Sequence, residues 1–302
     1  MIVTIDQKSK SCPGVNHALD ITQDYLRRGH SLVSAGELIH NQREMERLQT
    51  LGLKIIPYES LGDCALSDNQ DGAAFLVRAH GESDEVIDKA RKCGMQILDG
   101  TCAIVAHSQK IIQEHALNGW GIVIVGKKDH PEVKGLAARA RGNEVIISNL
   151  EEIDQQDYNN RSLLIAQSTV NPKLFSEVRH SLNEKISNLK IVDSTCRYLK
   201  TRQEDIRSFA REYDVCIIVG GKNSSNTRLL CETARSVNSN TYFISSPDEM
   251  NPKWFKRVKS VGVSGGASTP RWQLDELKQY LENNHKEKNP NGLKNKKGGI
   301  IS

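Results

Sequence analysis

The chain has 302 residues, 37% of them hydrophobic and 26% charged, with a formal net charge of +4. That length supports two or three domains with substantial cores, and apolar runs such as GIVIVG (121–126) and VCIIVGG (215–221) fall far short of the roughly 20 residues needed to cross a bilayer. No membrane span and no nucleic-acid partner are expected, and seven widely spaced cysteines fit reduced thiols in a cytoplasmic protein better than a disulfide framework.

The N-terminal MIVTI alternates apolar residues and reads as a strand, not as a signal peptide. Cys12 follows, then the helical stretch VNHALDITQDYLRRG (15–29), the strand SLVSA and a turn from Gly36 that reaches His40. The apolar segment FLVRAHG (75–81) carries His80 at its end. A short strand from Met95 to Leu98 leads into DGTC with Cys102, and a helical stretch runs from Ile104 to His115. The strand IVIV comes next, with a turn from Gly126 that leads to His130 and Glu132, and LLIAQST (163–169) ends in Ser168 and Thr169. DSTC with Cys196 precedes a polar-faced helical stretch from Leu199 to Tyr213, the strand CIIV and a turn from Gly220 with Ser224, Ser225 and Asn226. SVGVSGGAST (260–269) supplies Ser268, and the Lys-, Asn- and Gly-rich end, 284–302, is expected to be disordered.

These segments repeat. Cys12 to Gly36, Cys102 to Gly126 and Cys196 to Gly220 each span 24 positions, and four residues past each glycine stand His40, His130 and Ser224. The chain therefore reads as three repeats, 1–98, 99–192 and 193–283. Short strands alternating with amphipathic helices predict three small parallel α/β layers, whose ligands gather beyond the carboxyl ends of the strands. Three equivalent edges facing one cavity would bring three thiols together. A closed zinc site prefers four ligands in short-spaced pairs, and no Cys-x-x-Cys occurs here, whereas soft thiolates also suit iron–sulfur clusters. Cys64, Cys93, Cys216 and Cys231 match no repeat position or fall on strand and helix faces, and are expected to be packing thiols. His40, His80 and His130, with Ser224, Ser225, Asn226 and Ser268, suit a phosphate or diphosphate. Glu132 reads as a proton carrier, against its plain role as a first-turn acid after Pro131.

The set SCPGV, ELIHN, RAHG, DGTC, HPEV, AQST, DSTC, GGKNSSN and GGAST resembles the LytB/IspH family, in order and at matching spacing from residue 1 to about 283. The resemblance implies 4-hydroxy-3-methylbut-2-enyl diphosphate reductase activity on a trefoil of three α/β domains around a 4Fe-4S cluster. Cys12, Cys102 and Cys196 would hold that cluster, leaving one iron open to the allylic hydroxyl. The diphosphate would be gripped by His40, His80, His130, Ser224, Ser225, Asn226 and Ser268, while Ser168, near the hydroxyl and Glu132, would act in both catalysis and substrate binding, and Thr169 would also bind substrate. Ferredoxin or flavodoxin would deliver two electrons singly, and Glu132 would relay protons. Ser11, Ala103 and Leu199 depart from the family's usual Phe, Pro and Thr. Those departures leave room for a paralogue acting on another allylic diphosphate. A non-catalytic iron–sulfur sensor and a mononuclear zinc hydrolase are the readings from other function classes.

Overall fold

A computed structural model describes residues 1–61 and 73–287; Cys64 and the end of the tail, 288–302, lie outside the described residues. The chain divides into two compact units. The first gathers Met1–Ser11, His40–Arg43 and the chain from Lys200 onward, and the second holds Cys12–Ile39 and Glu44–Leu199. Together they contain three similar four-stranded parallel sheets, each covered by helices, so the expected α/β class holds.

In the second unit, β2 (Leu32–Ala35), β3 (Leu53–Ile56), β4 (Ala74–Val77) and β5 (Gln96–Asp99) lie in the order β3-β2-β4-β5. The same order returns in β6 (Gly121–Val125), β7 (Glu144–Ile147), β8 (Arg161–Ala166) and β9 (Asn188–Val192), as β7-β6-β8-β9. The first unit repeats it once more with β10 (Val215–Val219), β11 (Thr241–Ile244) and β12 (Ser260–Gly265), but there the fourth place goes to β1 (Ile2–Ile5). Ile2 pairs with Ser260 and Ile5 with Val263, so the first strand of the chain closes the last sheet. Local periodicity marks β1 as a strand but carries no record of its partner.

The helices after the three cysteines are equivalent: α1 (Pro13–Arg27), α4 (Ala103–Leu117) and α7 (Arg197–Arg211). Pro13 stands at the first helical position, where its missing N–H costs nothing and its φ is already helical. Ala18, Thr22 and Leu26 of α1, and Ile206 and Ala210 of α7, recur every four residues and face the core. A second equivalent set starts just beyond the strand-end turns: α2 (Gln42–Thr50), α5 (Pro131–Ala137) and α8 (Ser225–Arg235). Three helices complete the described set: α3 (Asp84–Lys92), α6 (Pro172–Lys185) and α9 (Arg271–Glu287). Leu274, Leu277 and Leu281 pack α9 onto the core of its sheet, and the helix continues through 284–287, the start of the expected tail.

The central strands are buried on both faces, as parallel strands between helices must be. In β10, Val215, Ile217 and Val219 join one core while Cys216 and Ile218 join the other. Truncating such a residue to alanine costs about 2–5 kcal/mol. Cys216 and Cys231 are packing thiols as expected, and burial pushes Cys216 up to about 12. Cys93, expected to be reduced, is disulfide-bonded; sequence spacing does not reveal which thiols face one another.

Candidate active site

Each cysteine of the repeat opens a helix. Asp99 and Asp193 shape the turns before two of them: Thr101 N–H donates to Asp99 Oδ1 at 2.9 Å, and Thr195 N–H to Asp193 Oδ1 at 3.0 Å. These side-chain turns aim the backbone of Cys102, whose N–H donates to Ala79 O at 3.0 Å, and of Cys196, whose N–H donates to Ser168 O at 2.8 Å. Cys12 caps α1, and its Sγ accepts Val15 N–H at 3.4 Å. A Cβ on Gly14 would lie 2.7 Å from Cys102 Sγ, so the close approach of α1 to Cys102 requires glycine there. Burial pushes the Cys12 thiol up, and the neighbouring Cys102 and Cys196 thiols add to the rise.

Glu132 sits in the first turn of α5, after Pro131, and is buried. Ser168, just past β8, donates its N–H to Oε1 at 2.6 Å and its hydroxyl to Oε2 at 2.8 Å. Burial raises the carboxyl above its usual range, and the two Ser168 hydrogen bonds oppose the rise without cancelling it. His130 caps α5 through Nδ1, which accepts Glu132 N–H at 3.1 Å. An accepting Nδ1 carries no proton, so in the neutral ring the N–H is on Nε2. The His130 and His80 rings stand 5.4 Å apart, nearly edge to face.

Two supports were not legible in the sequence. Gln167 bridges the ends of β6 and β8: its Oε1 accepts Lys127 N–H at 3.1 Å and its Nε2 donates to Thr169 Oγ1 at 2.9 Å. Arg78 and Glu82, both buried, form a pair at 2.6 Å that brackets His80 and Gly81, and Tyr58 donates to Glu82 at 2.8 Å. Gly36 has φ +97°, and a Cβ there would meet Arg78 Nη1 at 2.9 Å, so this turn takes glycine for two reasons. The sequence signal was the charge pair Arg78 and Glu82 flanking the RAHG turn, which periodicity does not single out.

In the first unit, Ser224 caps α8 and is buried, whereas Ser225 is exposed and Asn226 half-buried in the opening turn. Ser268 lies beside His40: its hydroxyl donates to His40 O at 3.5 Å, and Asn41 Nδ2 donates to Ser268 O at 3.0 Å. Asn41 and Gln273 exchange a second pair of hydrogen bonds and hold the His40 segment against the end of β12. Of the departing positions, Ser11 is buried with its hydroxyl on Thr269 O at 3.3 Å, Ala103 is exposed and Leu199 is half-buried.

Among the described residues, the set of His, Cys, Asp or Glu side chains whose ligand atoms converge closely enough for one metal ion is His40, His80 and His130, all within 4.8 Å of one another. This corrects the expectation of a 4Fe-4S cluster on Cys12, Cys102 and Cys196. The convergent donors are imidazoles, while the thiols are fixed at helix starts.

The LytB protein family model matches residues 3–282. The 4-hydroxy-3-methylbut-2-enyl diphosphate reductase of Aquifex aeolicus is 33% identical over 284 residues, covering 93% of this chain and 96% of that protein. The Clostridioides difficile enzyme of the same name is 30% identical over 94% of this chain and all of its own. A solved structure of (E)-4-hydroxy-3-methyl-but-2-enyl diphosphate reductase, described as the terminal enzyme of the non-mevalonate pathway, superposes with TM-score 0.74 at 32% identity, covering 94% of this chain and all of that one. The Plasmodium falciparum reductase superposes at TM-score 0.78 and 22% identity over 93% of this chain and 87% of that one, a likeness of fold. The ordered strand-end motifs, the three matching sheets and these alignments over nearly the whole chain have one explanation: the chain belongs to the LytB family.

Proposed function

We propose that the protein reduces 4-hydroxy-3-methylbut-2-enyl diphosphate to isopentenyl and dimethylallyl diphosphate, in the methylerythritol phosphate route to isoprenoids. Family membership and the names of its relatives support this oxidoreductase activity. The observation that carries it is Glu132, a buried carboxyl pushed toward its neutral form and held at both oxygens by Ser168. Burial raises the pKa of a carboxyl and so brings it closer to the range in which a general acid gives up its proton as charge develops.

In the reaction the bond from carbon to the allylic hydroxyl breaks and two electrons enter the allyl fragment. One proton leaves with the hydroxyl as water, and a second goes onto carbon. Glu132 supplies protons, and Ser168 keeps its carboxyl oriented and stands next to the departing hydroxyl. His40, His80, His130, Ser224, Ser225, Asn226 and Ser268 hold the diphosphate, and Thr169 completes the turn beside Ser168. Donors at helix starts suit an anion because the backbone dipoles there add to the side chains. The electrons come singly from ferredoxin or flavodoxin. The repeats 1–98, 99–192 and 193–283 are the units of descent, and the protein works in the cytoplasm. No helix of the described chain is long and apolar enough to cross a membrane.

Anaerobic incubation with the substrate, dithionite and a viologen dye tests the proposal. Dye oxidation coupled to formation of the two five-carbon diphosphates is the expected result. Dye oxidation at background rate by folded protein overturns it.

A further inference from the structure

Thr227, a residue to which the sequence pattern assigns nothing, is wholly buried in the first turn of α8. Its N–H donates to Ser224 Oγ at 3.2 Å and its hydroxyl donates to the same oxygen at 2.9 Å. A serine hydroxyl has two lone pairs and one proton to give. Thr227 fills both lone pairs, so the Ser224 proton can serve only an acceptor outside the cap. The reverse assignment, with Ser224 donating to Thr227, strands the Thr227 proton in a space packed by the Gly220 and Gly266 backbones, which costs a buried donor its partner. Gly266 confirms how tight the space is, because a Cβ there would collide with Thr227 Oγ1. An ordinary N-cap needs only the backbone donation. The second bond from Thr227 adds nothing to capping and fixes the sense of the Ser224 hydroxyl.

We propose that Thr227 is a positioning residue for anion binding: it forces Ser224 to act as a hydrogen-bond donor, so that the hydroxyl meets a diphosphate oxygen without reorganising. The proposal rests on the reading above that Ser224 holds the diphosphate. Preorganised donors aimed at an anion bind it more tightly than donors that must first turn.

The test is calorimetric titration of the full-length protein with inorganic pyrophosphate, alongside thermal melting of each variant. Thr227→Val keeps the shape and removes the hydroxyl; it should weaken pyrophosphate binding about tenfold, the scale of one hydrogen bond to a charged group. Thr227→Ser restores the hydroxyl and should bind like the native protein. Should the valine variant not fold, Thr227→Ala, which adds no bulk, should show the same weakening. A purely structural role for Thr227 predicts a lower melting temperature with unchanged affinity in the folded fraction, and that result overturns the proposal. Weakening by Ser224→Ala with no effect of Thr227→Val or Thr227→Ala also overturns it, while leaving the diphosphate reading intact. No binding by the native protein removes both.

Discussion

Ser168 grips both oxygens of Glu132, one through its backbone N–H at 2.6 Å and one through its hydroxyl at 2.8 Å. The two residues are 36 positions apart, on adjacent strand-end turns, and the grip fixes a buried acid in one orientation. Glu132→Gln keeps a similar shape and still accepts the backbone N–H, but has no proton to transfer. Turnover should fall by about 100-fold or more, the usual contribution of a general acid, while pyrophosphate affinity stays native. Ser168→Ala should cost less, and Ser168→Thr, which keeps both donors, should stay close to native. Steady-state dye oxidation with each variant checks the series; a fully active Glu132→Gln would remove the proton role.

The Arg78–Glu82 pair is a structural test of the His80 turn. Both side chains are buried, so removing one leaves the other charge without its partner. Glu82→Ala should destabilise by about 3–5 kcal/mol, and replacing both residues by Met and Leu should cost less than either single loss. Urea denaturation of the two singles and the double measures the coupling.

Asp214 stands at the start of β10, and its carboxylate accepts Lys259 N–H at 2.8 Å and Ser260 N–H at 3.0 Å. These backbone donors hold its pKa below the usual carboxylate range. A carboxylate depressed in the folded state stabilises above its unfolded value, and the gain disappears as pH falls through the folded one. The urea midpoint of Asp214→Asn should therefore lie below native near neutrality, with the gap closing as pH falls below about 4. A gap that widens on acidification would contradict this.

Cys216 should resist iodoacetamide at pH 8 in the native protein, because burial keeps its thiol protonated to about 12. Cys102 and Cys196 are half-buried and should be labelled first. Peptide mass spectrometry after brief labelling distinguishes them, and early labelling of Cys216 would show that its core opens readily.

Gly14→Ala would press a methyl group against Cys102 Sγ at 2.7 Å. Alanine is otherwise a better helix former, so a surface position would gain stability. Here a loss of about 1–3 kcal/mol is expected from overpacking, and a higher melting temperature would show that α1 shifts to accommodate it.

Much of the molecule was legible because its repeating unit is local. Apolar periodicity marked Ile217 and Ile218 as strand core, and the 24-position step placed Cys12, Cys102 and Cys196 at equivalent helix starts. The turn at Asp99 is equally local, because its carboxylate needs only the N–H of Thr101 two places away. What the sequence by itself determined is the element order, the parallel α/β class and the strand-end motifs that carry the family resemblance. Tertiary structure alone decided that Ile2 pairs with Ser260, that Ser168 meets Glu132, that Tyr58 joins Arg78 and Glu82, and that imidazoles rather than thiols form the convergent ligand set. The physical reason is common to all four. Propensity and periodicity act over a few residues, whereas these contacts join groups that only the closed fold brings within hydrogen-bonding or ligand distance, with no trace in the local pattern.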